Sequence, residues 1–309
     1  MIRRSVKSFS ANGQPECKGS ASTNAEYASR TITFDELAEW QKDNEFILSG
    51  YRRVQNEWKG CLHSIYAYLH NETVNIHSHL WGAIAFCYLL MNAQSIHLRK
   101  YPTAWMDFAM FSVFLISAIL CLLCSAIFHT STCHSKEVSS RCHAFDYSGI
   151  IILTVGSFYP CLYYGFFCEP FFQVGYITSI TLVGLGAAYI VLNPEYAKPT
   201  HRGARTKVFI ALGLSAIVPV AHWGFIHGGT KMYTEMGFKW LLISGCLYIS
   251  GALIYANRVP ERFYPGRFDL FFASHQIFHV CVIMAALAHY NSILIALEHT
   301  YTRSECTLF

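Results

Sequence analysis

Seven stretches of the chain are apolar for long enough to cross a bilayer, roughly 76–96, 105–128, 146–166, 171–192, 206–227, 237–257 and 270–296. About 20 helical residues span a hydrocarbon core of about 30 Å. The connections between these runs are short and leave no room for a large soluble domain. The fold class that follows is all-α, a seven-transmembrane helix bundle occupying residues 76–296. Pro160 and Pro219 lie inside the third and fifth runs and predict kinks, because proline has no amide proton for the helix ladder. No sustained internal repeat is present.

Ahead of the spans the pattern changes. Residues 1–33 are rich in Ser, Asn, Gly and Lys, with too few large apolar groups to offset ordering, and are predicted to be a disordered tail. Their polar start argues against a cleavable signal peptide. Residues 34–75 read as a juxtamembrane segment. Within it, Thr33-Phe34-Asp35-Glu36-Leu37 looks like a short helix start. Trp58, Leu62, Ile65, Tyr66 and Leu69 recur at helical spacing, with Lys59, His63 and Ser64 elsewhere. That spacing predicts an amphipathic helix over 58–70, lying on the membrane surface; a soluble docking helix is the alternative. Residues 297–309 read as a short tail beyond the last span.

Composition agrees with the pattern. With 53% hydrophobic and 14% charged residues, the chain is too apolar for an ordinary soluble domain of 309 residues. The net charge of +4 says little by itself, and no nucleic-acid partner is expected. The positions of the charges say more. Seven is odd, so the termini lie on opposite sides. On the amino-terminal side stand Arg52, Arg53, Lys59, Lys136, Arg141, Lys198, Arg202, Arg205, Lys207, Arg258, Arg262 and Arg267; on the other are Arg99, Lys100, Lys231, Lys239 and Arg303. The positive-inside rule then places the amino terminus in the cytosol and the carboxyl terminus outside, opposite to G-protein-coupled receptors. The sequon Asn71-Glu72-Thr73 would lie in the cytosol and escape glycosylation. Half of the 12 cysteines lie within apolar runs, for example Cys87, Cys121, Cys124, Cys246 and Cys281. Cys121 and Cys124 form a C-x-x-C inside a lipid-length segment and read as buried thiols.

The candidate chemistry collects at one depth. His275 and His279 are one helical turn apart at the start of run seven, so they share a face. His129 closes run two and Asp146 opens run three. Imidazoles inside a membrane segment are costly without a partner and read as functional. Three imidazoles with one open position are the usual protein shell of a catalytic zinc, so His129, His275 and His279 are candidate ligands for Zn2+. Asp146 is placed to hold or deprotonate a water there. Ser125, four residues before His129, faces the same way and is a candidate supporting group. Competing readings exist for each. Asp146 can cap a helix, and His129 and His134 can be interfacial histidines.

Longer motifs carry a family resemblance. They are Lys42-Asp43-Asn44, Gly50-Tyr51-Arg52, Asn71-Glu72-Thr73-Val74-Asn75-Ile76-His77-Ser78-His79-Leu80, Phe128-His129-Thr130, Cys133-His134-Ser135 and Asp146-Tyr147-Ser148-Gly149-Ile150. The strongest is the run from Val259 to Asp269, leading into Ser274-His275-Gln276-Ile277-Phe278-His279-Val280. Over residues 34–296 the chain resembles the progestin and adipoQ receptor (PAQR) / hemolysin III family, and within it the adiponectin receptors. The resemblance implies seven helices with an inward amino terminus. It also implies zinc on His129, His275 and His279, with Asp146 contacting the metal's water. One motif departs: Val74, His77 and Ser78 stand where adiponectin receptors have Gly, Trp and Thr. That variant is closer to a Golgi-resident branch, which bears on ligand and compartment but not on the zinc ligands.

Two functions follow. In the first, the resemblance implies a zinc-dependent amide hydrolase, turning ceramide into a sphingoid base and a free fatty acid, with Asp146 and Ser125 as catalytic residues. In the second, the protein is a receptor or Golgi scaffold in which zinc is structural. An adiponectin-like protein outside is the expected partner, and the protein is open to oligomerisation. The plasma membrane is the expected location, with the Golgi or endoplasmic reticulum as alternatives. No span carries the repeated charges of a channel or transporter.

Overall fold

The computed structural model describes residues 30–193, 201–302 and 306. Residues 1–29, read above as most of a disordered tail, and the charges Lys198 and Arg303 lie outside the described residues. Two strands, β1 (Thr31–Ile32) and β2 (Tyr51–Arg52), pair antiparallel ahead of helix α1 (Trp58–Ala67). The spans follow: α2 (Thr73–Ile96), α3 (Trp105–Ser131), α4 (Lys136–Gly165), α5 (Pro170–Val191), the pair α6 (Arg202–Leu214) and α7 (Ile217–His227), then after a short α8 (Gly229–Glu235) come α9 (Phe238–Asn257) and α10 (Ser274–Thr302). Seven of these segments are long and apolar enough to cross a membrane. They are apolar all round, as helices must be when lipid covers the side that core does not. Phe225, for instance, is 91% exposed in the protein alone.

Several boundaries differ from the sequence reading. Thr33–Leu37 is a turn, not a helix start. The Glu36 carboxylate accepts from the Thr33 amide (2.9 Å) and hydroxyl (3.0 Å), closing a local turn between β1 and the rest of the segment. Residues 31–32, placed in the tail, are a strand, because β2 offers the backbone partners. Span three begins ten residues earlier than its apolar run, at Lys136. Ser135 is its N-cap, accepting from the Val138 amide. Asp146 therefore sits in the third turn, and the capping explanation for it fails. Span seven runs on to Thr302, so the segment from 297 starts as helix. Pro160 is accommodated within one continuous α4, whereas Pro219 follows a break at Ser215–Ala216. The break falls where proline withholds the amide that would bond residue 215.

One core joins α2, α3, α4 and α10 around Phe86, Phe111, Phe114, Leu115, Leu122 and Ile293. A second joins α4 to α5, α6 and α7 around Leu162, Phe166 and Trp223. Polar clamps close both ends. At the end where α10 begins, buried Glu261 accepts from the Ser274 amide (2.8 Å) and hydroxyl and from Asn44 (3.1 Å), and Asp269 accepts from Leu48 and Ser49. At the opposite end, buried Asp107 accepts from Tyr164 (3.0 Å) and Tyr301 (2.6 Å). There a disulfide, Cys168–Cys306, ties the α4–α5 connection to the chain beyond α10. Cys121 and Cys124 are free thiols.

Candidate metal centre

The first turns of α10 and the last turn of α3 meet at one depth. Ligand-capable atoms of His129, His275 and His279 all lie within 4.8 Å of one another. His275 and His279 are on one face because they are four apart on a helix. His129 reaches them because α3 packs beside α2 and α4 in the same layer as α10.

The imidazoles are oriented by neighbours that the sequence reading missed. Glu72, the residue before α2, bonds His129 Nδ1 at 2.7 Å, and Asn75 donates to the same Glu72 oxygen at 2.6 Å. His279 Nδ1 donates to the Asn75 carbonyl at 3.1 Å, with the Ser78 hydroxyl at 3.4 Å. His129 Nε2 is buried and has no hydrogen-bond partner within the protein. This is the arrangement a metal-binding histidine adopts, with one nitrogen held by a carboxylate or carbonyl and the other left for the metal. The donor set therefore fits a metal such as zinc.

Burial works to raise the Glu72 carboxyl, but the charge and hydrogen bond of His129, with the bond from Asn75, hold it below its ordinary value. Nearby, burial first and the charge of Arg52 second push His70 down to about 3. Arg52, 2% exposed, donates to the carbonyls of His129 (2.5 Å) and Thr130 (3.2 Å) and to the hydroxyls of Ser64 and Thr132. It thereby satisfies the open carbonyls at the end of α3 and fixes the turn that carries His129.

Asp146 and Ser125 are both buried. Both line a cavity of about 860 Å3, together with His275 and His279. The cavity runs between α3, α4, α6, α7, α9 and α10 and is mostly apolar, reaching Phe166, Trp223 and Met236. Thus the spacing argument placed all five residues in one region. His134 stays apart, packed on Trp58 at 5.1 Å. Glu72 had a signal in the sequence, a carboxylate opening the first span at the depth of His129. Asn71-Glu72-Thr73 reads as a sequon and as part of a family motif, and neither gives the carboxylate a role.

Residues 67–290 match the model of the Haemolysin-III related family. The chain is 38% identical to the progestin and adipoQ receptor-like protein 1 of Caenorhabditis elegans, over 85% of this chain and 60% of that one. It is 37% identical to the adiponectin receptor protein of Drosophila melanogaster, over 89% of this chain and 61% of that one. The ADIPOR-like receptor IZH2 of Saccharomyces cerevisiae is 36% identical, over 89% and 87%. The chain thus spans about three-fifths of the worm and fly proteins and most of the yeast one.

Proposed function

The chain belongs to the Haemolysin-III related family, as an adiponectin-receptor-like multi-pass membrane protein, and from that premise we propose that it hydrolyses an amide-linked lipid at a zinc centre inside the bilayer. The substrate class is ceramide, and the products are a sphingoid base and a free fatty acid. The carrying observation is His129: Nδ1 is taken by Glu72, and Nε2 is buried without a partner among two further histidines.

His129, His275 and His279 would hold the metal. Zinc, when bound, supplies Lewis-acid chemistry, activating water near neutral pH and polarising a carbonyl. The protein groups do the rest. Asp146 accepts a proton from the attacking water and delivers it to the departing amine. Ser125 fixes the carboxylate for that transfer. The apolar cavity takes the hydrocarbon chains and keeps bulk water from the reacting amide. Metal analysis and ceramide turnover, measured on one purified preparation with and without chelator, test the reading. Loss of turnover on chelation with the fold intact supports it. Loss of the fold, with no turnover in the metal-loaded protein, would instead make the zinc structural.

The orientation proposed is amino terminus cytosolic. The basic flanks favour it. So does the Cys168–Cys306 disulfide, which lies at the end away from the histidines, where an oxidising exterior or lumen would preserve it. In cells displaying the protein at the surface, a tag at Met1 should be reached by antibody only after permeabilisation and a tag after Phe309 without it. The reverse pattern overturns the orientation. An adiponectin-like protein outside is the partner class proposed to regulate the site, at the plasma membrane in the first instance.

A further inference from the structure

Four histidines, not three, gather at this depth. His79 lies on α2 one turn beyond Asn75 and two turns beyond Glu72, so it shares the face that orients the cluster. Its ring stacks on that of His279, with centroids 3.6 Å apart and planes within 10°. It is 4% exposed, and neither ring nitrogen has a hydrogen-bond partner within the protein. The His279 backbone is close enough to act on it electrostatically but is not in hydrogen-bond geometry. A buried polar group without partners is rare and calls for an explanation. The neighbouring imidazoles have theirs: His129 holds Glu72, His279 holds the Asn75 carbonyl, and His289 holds the Ser157 carbonyl at 2.8 Å. His79 falls outside the group of ligand atoms that could share one metal ion. It does line the cavity, beside Ser125, Asp146, His275 and His279.

We propose that His79 is a specificity-determining residue that binds the amide headgroup of the lipid, resting on the hydrolase reading above. A neutral imidazole offers one donor and one acceptor. An N-acyl amino alcohol offers the matching pair: a carbonyl that accepts, and a hydroxyl or amide N–H that donates. An ionised fatty acid presents only acceptors and satisfies one nitrogen of the two. His79 therefore favours the intact amide over the acid product. The parallel stack on His279 holds the ring in place at the cavity wall, with both nitrogens free of protein partners. A site built to pair a polar group discriminates strongly against a ligand that leaves that site's own polar atoms unpaired.

The test is lipid binding to zinc-loaded full-length protein, read by thermal shift with a ceramide analogue whose amide resists hydrolysis, and separately with a long-chain fatty acid. His79→Phe keeps the stacking and removes both nitrogens; His79→Gln restores a donor and an acceptor. For His79→Phe the expected result is unchanged zinc content, affinity for the ceramide analogue weaker by about tenfold or more, and fatty-acid affinity changed by less than about threefold, as expected for losing two hydrogen bonds against one. His79→Gln should recover part of the lost affinity. Equal weakening for both lipids, or none for the ceramide analogue, overturns the proposal. So does zinc loss in both variants, which would make His79 part of the metal shell. Binding is read apart from turnover. A wild-type protein that binds the analogue but hydrolyses no ceramide would sink the hydrolase and leave His79 standing, whereas one that hydrolyses ceramide with an unchanged KM in His79→Phe would do the opposite.

Discussion

Spans one, two, three and seven bury 33%, 50%, 50% and 56% of their most apolar stretch, whereas spans four, five and six bury 22%, 17% and 11%. The difference is visible at the glycines. A Cβ on Gly149 of α4 would stand 2.9 Å from the Cys121 Cα on α3, and one on Gly156 would meet the Ser117 hydroxyl at 2.2 Å. On Gly186 of α5 or Gly245 of α9 it would meet nothing within 4 Å, although Gly184 and Gly251, where those helices touch the first group, would meet Val155 at 2.4 Å and Cys281 at 2.8 Å. The helices of the first group are the more deeply buried, and α3 and α4 approach backbone to backbone at Gly149. Those of the second lean on them, and spans five and six complete the cavity wall. All three candidate zinc ligands, with Asp146, Ser125 and Glu72, stand on or beside the first group. The comparison teaches a division of labour. Reactive groups need positions fixed to a fraction of an ångström, which dense packing provides. The hydrocarbon chain of the substrate proposed above would need walls that yield, which sparse packing provides.

The largest effects should come from the ligands on the more deeply buried side. His129→Ala, His275→Ala and His279→Ala should each strip most of the zinc and lower the melting temperature, while His134→Ala should do neither; atomic absorption on purified protein reads the metal. Wild-type zinc in the triple variant would end the assignment. Next comes Asp146→Asn. Since Asp146 lies in the third turn of α4 rather than at its N-cap, a change in activity there cannot be put down to a lost cap. Turnover should fall by about 100- to 10,000-fold, the range for a general acid–base group, with zinc content near wild type. Zinc loss would make Asp146 a direct ligand, and unchanged turnover would remove it from the mechanism. The smallest effects test the packing contrast itself. Gly149→Leu should destabilise by about 1–3 kcal/mol or more through overpacking against the α3 backbone. Gly245→Leu should change stability by less than about 0.5 kcal/mol, because an added side chain there enters open space at the cavity wall. Paired thermal melts in one detergent decide this, and equal losses would show that the two halves are packed alike.

Much of the candidate site was legible because periodicity and depth are one-dimensional properties. An i, i+4 histidine pair must share a helix face, and a residue at the end of one span must lie near the start of the next. Edges were less legible. Span three looked ten residues shorter because its first turns carry Lys136, Glu137, Arg141 and His143. Hydropathy reads such a stretch as loop, although Ser135 and helix packing keep it helical. Glu72, Asn75 and Arg52 left only faint traces, since orienting a neighbour's ring has no spacing rule. The disulfide was hidden for the same reason: Cys168 and Cys306 are 138 residues apart.

The sequence by itself determined the class of fold, the seven spans, the side on which charge accumulates, and that His129, His275 and His279 share a depth. Lipid solvent imposes length and polarity on every spanning segment, so these features are written locally. Tertiary structure alone decided that Glu72 grips His129, that Arg52 holds the end of α3, that His79 stacks on His279 without a polar partner, and that one half of the bundle is dense and the other open. Those outcomes depend on which helix faces meet and how closely, and in a membrane contact is governed by side-chain shape and hydrogen bonding rather than by hydrophobicity, which all the spans share.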